Sequence, residues 1–236
     1  MEFAGRSVVL TGVGHSGQVG EAVAQAFAER GARVFLIDRQ DANSRARAEA
    51  LVAKGLRAAS LAADLTDETA VAALAERVRD ATSGRLNALV HLAGGFAPSG
   101  PVADSDSAIW HRQFAINATT AYLTARAFLP LLRGGKGAMV FFASEKVLPG
   151  ARVAELSAYT ASKSAVVSIM QSIAQEEAAH GVRANAVAPT TIRTATNLAA
   201  MGTNTPMVTR EAVADVVLWL CSEAARAVSG QVIPVR

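Results

Sequence analysis

Apolar and polar positions along the chain alternate between short, continuously hydrophobic runs and longer segments of helical period. The first run, "SVVL" at 7–10, is apolar at successive positions, the mark of a strand covered on both faces. Beyond a glycine-bearing stretch, "VGEAVAQAFAERG" puts Val19, Val23 and Phe27 at helical spacing, and Gly31 stops the helix. A buried strand follows at 33–38, an alanine-rich helix at about 42–54 and a weaker strand at 57–62. Thr66 is expected to cap the next helix, with Asp67 and Glu68 in a first turn whose dipole suits carboxylates. "LNALVHLAG" predicts a strand that ends in glycine near 94. The pattern then gives a long helical region at about 104–132, a strand at 138–144, and a helix at about 156–180 stopped by Gly181. A strand at 183–188, a helix from a Thr209 cap to about 225, and a closing strand in "GQVIPV" complete the series.

Strands alternate with helices throughout, and most strands are apolar on both faces. This predicts an α/β fold with a doubly wound parallel sheet and helices on both sides. No repeat, low-complexity segment or linker divides the chain, so residues 1–236 form one domain. The longer connections, near 95–104, 145–155 and 190–208, are where such a sheet carries its site.

Composition narrows the function classes. The chain is 51% hydrophobic and 18% charged, with formal net charge +3. Its arginines are dispersed, with no basic run to mark a nucleic-acid or membrane surface. Cys221 is the one cysteine, which fits a reducing compartment and allows no cysteine-based metal site; no His/Asp/Glu cluster has metal-ligand spacing either. No apolar run approaches the ~20 residues that span a bilayer, and the N-terminus lacks a signal-peptide pattern. The expected location is cytoplasmic.

Glycines 12, 14, 17 and 20 lie between the first strand and the first helix. Backbone N–H groups and a helix N-terminus in that place favour a pyrophosphate, and glycine lets it approach. Read literally, Gly12-x-Gly14-x-x-Gly17 is a dinucleotide fingerprint; read more loosely, Thr11-Gly12 with Gly20 is an expanded phosphate loop. Asp38 ends the second strand where an acid meets the adenosine ribose hydroxyls. Its charge disfavours a 2′-phosphate, so NAD is expected ahead of NADP, with Arg39 softening that choice.

Tyr159 and Lys163, four apart in "AYTASKSAVVSIM", share a helix face. A phenol of pKa about 10 becomes useful near neutrality when about 4 kcal/mol stabilises its phenolate. A nearby ammonium gives ~1–3 units of that shift, and an oxidised nicotinamide the rest. Ser144, at the carboxyl end of a buried strand, is placed to hydrogen-bond a substrate oxygen. Asn117, in the middle of a helical pattern, marks a kink, a bound water or a satisfied polar residue.

These residues together resemble the short-chain dehydrogenase/reductase family over essentially the whole chain. The resemblance rests on Thr11-Gly12 with Gly20, Asp38, Asp64, Ala93-Gly94, Asn117, Ser144, Tyr159-x-x-x-Lys163, "NAVAP" with Thr194, and "SGQVIPV". It implies a Rossmann-type domain of seven parallel strands that interconverts a small-molecule carbonyl and alcohol with NAD(P). Tyr159 would donate or accept the proton, Lys163 would lower its pKa and hold the nicotinamide ribose, Ser144 would orient the substrate, and Asn117 would support a water relay. Thr11, Gly12, Gly14, Gly17, Val19 and Gly20 would surround the phosphates; Asp64 and Leu65 would meet the adenine. Ala93, Gly94, Pro189, Ile192 and Thr194 would line the rest of the cofactor. Relatives assemble as homotetramers or homodimers through helix faces.

The chain departs from that pattern in four places, two of them the replacement of the common glycine after Pro189 by Thr190 and a Ser144–Tyr159 loop two residues longer than usual. Two extra residues enlarge the glycine loop, and Gln18 stands where the middle glycine belongs; alignment on Gly20 makes the literal fingerprint accidental. The usual Asn-Asn-Ala-Gly reads His91-Leu92-Ala93-Gly94, with His91 expected as a satisfied core residue. His15 is expected to face solvent, and Phe96, Trp110 and the 195–208 segment to border an apolar pocket, the last as a lid. Two other functions stay open on sequence: a nucleotide-binding sensor or scaffold without turnover, and a reductase of a C=N bond such as a pterin's.

Overall fold

Seven short strands pair side by side in the computed structural model, which describes residues 1–236. They are β1 (Ser7–Thr11), β2 (Arg33–Asp38), β3 (Ala58–Ala62), β4 (Ala88–His91), β5 (Ala138–Phe142), β6 (Arg183–Pro189) and β7 (Val232–Val235). Every pairing is parallel, in the order β3-β2-β1-β4-β5-β6-β7. The helices are α1 (Val19–Glu29), α2 (Asp41–Val52), α3 (Glu68–Thr82), α4 (Ser107–Gln113), α5 (Thr120–Gly135), α6 (Ser157–Glu176), α7 (Ala195–Met201) and α8 (Arg210–Cys221).

The sheet is doubly wound, as its two-sided strands require. Val8 and Leu10 of β1 join the core beneath α1, α2 and α8, while Val9 between them joins the core beneath α3, α5 and α6. All three are fully buried. β4 pairs with β1 although β2 and β3 intervene in sequence, so the winding reverses between them. Parallel sheets open a crevice at such a reversal, outside the carboxyl ends of the strands.

Several boundaries differ from the sequence expectation, each for a local reason. Asp67, not Thr66, caps α3: its carboxylate accepts the N–H groups of Thr69 and Ala70 at 2.8 and 3.2 Å. Thr66 bonds Asp64 instead, and a carboxylate is the better partner for a positive helix end. The long helix expected at 104–132 is broken: a 3₁₀ turn at Val102–Asp104 precedes α4, and a π-helical turn, Phe114–Thr119, joins α4 to α5. One wide turn inserts a residue with little change of axis, so apolar periodicity does not reveal it. The 138–144 strand stops at Phe142, and the 156–180 helix stops at Glu176, with a further 3₁₀ turn leading to Gly181 at φ 73°. The connection at 190–208 contains α7, whose N-cap is Thr194. α7 buries none of its residues, so no apolar stripe announced it.

Leu89 is wholly buried in central strand β4. Leu89→Ala is expected to cost about 2–5 kcal/mol, read as a lower urea midpoint with an unchanged slope.

Candidate active site

The residues expected to do chemistry gather at the carboxyl edge of the central strands. Lys163 and Tyr159 lie one turn apart on α6. Lys163 is 6% exposed, and its Nζ donates to the backbone carbonyl of Phe142, the last residue of β5, at 2.7 Å. Burial brings the amine down to about 8. Gly94 crosses beside it at φ 154°; a Cβ there would stand 3.2 Å from Lys163 Nζ and 2.4 Å from Asn117 Oδ1, so this approach requires glycine.

Tyr159 is partly buried. Its phenol stands above the ordinary value because burial disfavours the phenolate; Ser144 pulls it back by hydrogen bonding, and the negative charge of Glu145 pushes it up. The expected lowering by Lys163 together with an oxidised nicotinamide is not present in the protein alone, where the amine is engaged with the Phe142 carbonyl and desolvation prevails. Ser144 lies two residues beyond β5, where its hydroxyl caps a 3₁₀ turn by accepting Lys146 N–H at 3.3 Å. Phe96 sets its ring edge-on against Tyr159, centroids 4.9 Å apart, while remaining 62% exposed.

Asn117 sits in the π turn with its side chain committed to protein. Oδ1 accepts the Gly95 N–H at 2.9 Å, and Nδ2 faces Gly95 O at 3.0 Å, Ser162 Oγ at 3.1 Å and Gln113 Oε1 at 3.2 Å. The amide therefore braces the turn after β4 against α6, and Asn117 is both a satisfied polar residue and the site of a break in the helix, two of the readings its sequence position offered. Gln113 and Ser162, both buried partners, carry no signal in the sequence that would single them out.

His91 replaces the missing asparagine with a directional chain. Thr120 Oγ1 donates to Ile116 O at 2.8 Å, so its lone pair is free to accept from His91 Nε2 at 3.3 Å. His91 Nδ1 then accepts from Thr11 Oγ1 at 3.1 Å, and Thr11 in turn accepts the Ala93 N–H at 3.2 Å. The network selects the Nε2–H tautomer and joins β1, β4 and the π turn. Burial, with the Lys163 charge, holds the imidazole down at about 3, so it stays neutral. Thr11 is fully buried and spends its hydroxyl inside this chain. It supports the loop from beneath, which corrects its place among residues facing a cofactor.

The loop from Gly12 to Gly20 fits a dinucleotide phosphate. From Gly14 to Gly20, only the Gly17 N–H has an acceptor within the protein. Gly12, at φ 74°, leaves 2.8 Å between a would-be Cβ and Ala93 N, and Gly20 leaves 3.0 Å to Gly12 O. Val19 and Gly20 begin α1, so the helix N-terminus faces this loop. A Cβ on Gly14 would stand 2.4 Å from Asp38 Oδ2, so the carboxylate closes directly on the loop. Asp38 also accepts Gln40 N–H at 2.9 Å. Asp64 is exposed beyond β3, with Thr66 hydrogen bonds and the Arg39 charge holding its carboxyl low, and Leu65 is buried in the core. Pro189 ends β6; Ile192 bridges to Val208, and Thr194 caps α7, both on the side of the loop that reaches Gly17. Thus Asp64 and Leu65 lie just beyond the carboxyl end of β3, and the Pro189–Thr194 segment runs on beyond that of β6. His15 is exposed, as expected.

The family model described as Enoyl-(Acyl carrier protein) reductase matches residues 12–236. The chain is 37% identical over 245 residues to cis-4-hydroxycyclohexanecarboxylate dehydrogenase of Sinomonas cyclohexanicum, covering 99% of this chain and 96% of that one. It is 33% identical to galactitol 2-dehydrogenase of Rhizobium johnstonii, covering 98% and 93%. The solved structure of a short-chain type dehydrogenase/reductase from Mycobacterium ulcerans is similar at TM-score 0.89 and 32% identity, covering 100% of this chain and 90% of that one.

The His91 chain has a pH signature. Its folded value, about 3, lies below the 6.5 of a free imidazole, so the unfolded state binds more protons between them. This contribution is complete above pH 6.5 and lost as pH falls toward 3. Between pH 6.5 and 5 wild type is expected to lose about 2 kcal/mol on this account, at 1.36 per unit. His91→Leu removes that slope and is expected to cost about 1–3 kcal/mol at neutral pH through a Thr11 hydroxyl left without its acceptor. Urea unfolding at the two pH values measures both.

Proposed function

The chain belongs to the short-chain dehydrogenase/reductase family, NAD(P)-dependent oxidoreductases that interconvert a carbonyl and an alcohol, and on that premise we propose how its residues divide the work. The bound nicotinamide supplies or takes the hydride. Tyr159 exchanges the proton of the substrate oxygen, Ser144 holds that oxygen beside the phenol, and Lys163 stabilises negative charge in the cleft. The observation that carries this reading is the placement of Tyr159 and the buried Lys163 amine one turn apart on α6, at the tip of β5 and beside the turn that Ser144 begins. A phenol above its ordinary pKa is protonated at neutral pH and ready to donate to a carbonyl. In the alcohol-oxidising direction it must first lose its proton, and two positive charges nearby favour that loss: the Lys163 ammonium and the oxidised ring.

NAD is proposed over NADP because Asp38, held against Gly14, puts a negative charge where a 2′-phosphate would stand. The substrate is proposed to be a secondary alcohol or its ketone, in keeping with relatives named for a hydroxycyclohexane and for C2 of galactitol. Exposed Phe96 against Tyr159 gives such a carbon skeleton an apolar wall. A homo-oligomer is proposed through α5 and α6, whose outer faces form an open groove of about 550 Å³ lined by exposed Tyr122 with Leu129 and Ile169. The cytoplasm is proposed because the lone Cys221 is buried, its thiol pushed up to about 12, and has no disulfide partner.

Tyr159→Phe is expected to lower kcat at least about 100-fold, the scale of general acid–base catalysis, while NADH binding by fluorescence titration persists. Turnover near the wild-type rate contradicts the proton role. Asp38→Ala is expected to raise the NADPH to NADH ratio of kcat/KM; an unchanged ratio removes Asp38 from the ribose site.

A further inference from the structure

The phosphate loop is tied to a carboxylate for which the hydride chemistry has no use. Glu21 lies in the first turn of α1. Its Oε2 accepts the Gly17 N–H at 2.7 Å, and its Oε1 accepts the Ser16 hydroxyl at 3.2 Å and Arg47 Nη1 at 2.7 Å. Arg210 Nη1 stands 3.7 Å from Oε2. The loop, α2 and α8 thus meet on one partly buried side chain. Burial pushes its carboxyl up, but the Gly17 N–H, Arg47 and Ser16 outweigh burial and hold it below the ordinary carboxylate range.

Gly17 is also fixed from its other side. Its carbonyl accepts the Ala195 N–H at 3.0 Å, and at φ 72° a Cβ would stand only 2.9 Å from the Ala195 Cβ. Next to it, Gln18 Nε2 donates to Thr196 Oγ1 at 2.9 Å. The tip of the enlarged loop is therefore clamped between Glu21 and the first turn of α7. A bare carboxylate beneath a pyrophosphate would repel it, and Arg47 at 2.7 Å with Arg210 nearby cancels that charge. What remains is geometric: one loop N–H is tied down, and those of Gly14, His15, Ser16, Gln18, Val19 and Gly20 have no protein acceptor.

Resting on the family reading above, we propose that Glu21, locked by Arg47, is a positioning residue that preorganises the enlarged loop for the cofactor's pyrophosphate. It does by a side-chain clamp what the missing middle glycine does by backbone freedom. A rigid loop binds more tightly because less order is lost on binding.

The test is NADH fluorescence titration of wild type, Glu21→Ala, Glu21→Gln and Arg47→Met, with adenosine affinity measured alongside. The expected result is a Kd for NADH raised about tenfold in Glu21→Ala and in Arg47→Met, a change of 1.4 kcal/mol, and several-fold in the isosteric Glu21→Gln. A double variant carrying Glu21→Ala and Arg47→Met, titrated alongside, should be no weaker than the worse single one, because the pair acts as a unit. Adenosine, which has no phosphate, should bind all forms within twofold. A Kd for NADH within twofold of wild type in both Glu21→Gln and Arg47→Met overturns the proposal, as does an equal loss of adenosine affinity. A wild type that binds no NADH overturns the family-based reading as well; a wild type that binds, with unaffected variants, overturns only the role of Glu21.

Discussion

A lysine amine buried at the strand tips, bonded to a neutral carbonyl, is the constraint around which the rest of this site is arranged. An ammonium withdrawn from water is costly unless it finds negative charge or strong acceptors. Lys163 has the Phe142 carbonyl at 2.7 Å, and burial has already drawn it down to about 8. It helps keep His91 neutral, and with Asn117 Oδ1 it crowds the position a side chain would take at Gly94. Negative charge that forms in the crevice, on the phenol of Tyr159 or on a substrate oxygen, meets this unanswered positive charge. In the protein alone, burial holds the phenol above its ordinary value.

The fold supplies the rigidity this arrangement needs. The winding reversal between β1 and β4 opens the crevice, and two buried polar groups hold its rim. One is the chain from Ala93 N–H through Thr11, His91 and Thr120 to Ile116. The other is Asn117, bonded to both backbone groups of Gly95 and facing Ser162 of α6. Both converge on the turn that crosses Lys163. Fully satisfied buried networks of this kind specify a single arrangement, here of the strand tips against α6.

Much of this was legible in the sequence, and the limit was contact distance along the chain. Continuous apolar runs revealed the inner strands because burial on both faces leaves a local trace, while the half-buried edge strand β3 gave a weaker one. The Tyr159–Lys163 spacing revealed their shared face because a helix repeats every turn. Asp38 was legible from its place at a strand end. The inward turn of Thr11 was not, because its partners are His91 and Ala93, some eighty residues later. The clamp of Glu21 by Arg47 joins residues of two helices and carries no periodic signal. The π turn and α7 were hidden for the reverse reason: the first preserves apolar periodicity, and the second has none.

The central claim is that one phenol serves as a proton carrier whose ionisation depends on the positive charge around it. The chain has two tyrosines, so Tyr122→Phe leaves Tyr159 as the only phenol to follow. Ultraviolet difference titration of that variant, with and without NAD⁺, reports its ionisation directly. The account predicts a midpoint above the ordinary phenol value in the free protein and a fall toward neutrality with NAD⁺ bound. A midpoint that does not move on binding NAD⁺ would contradict it.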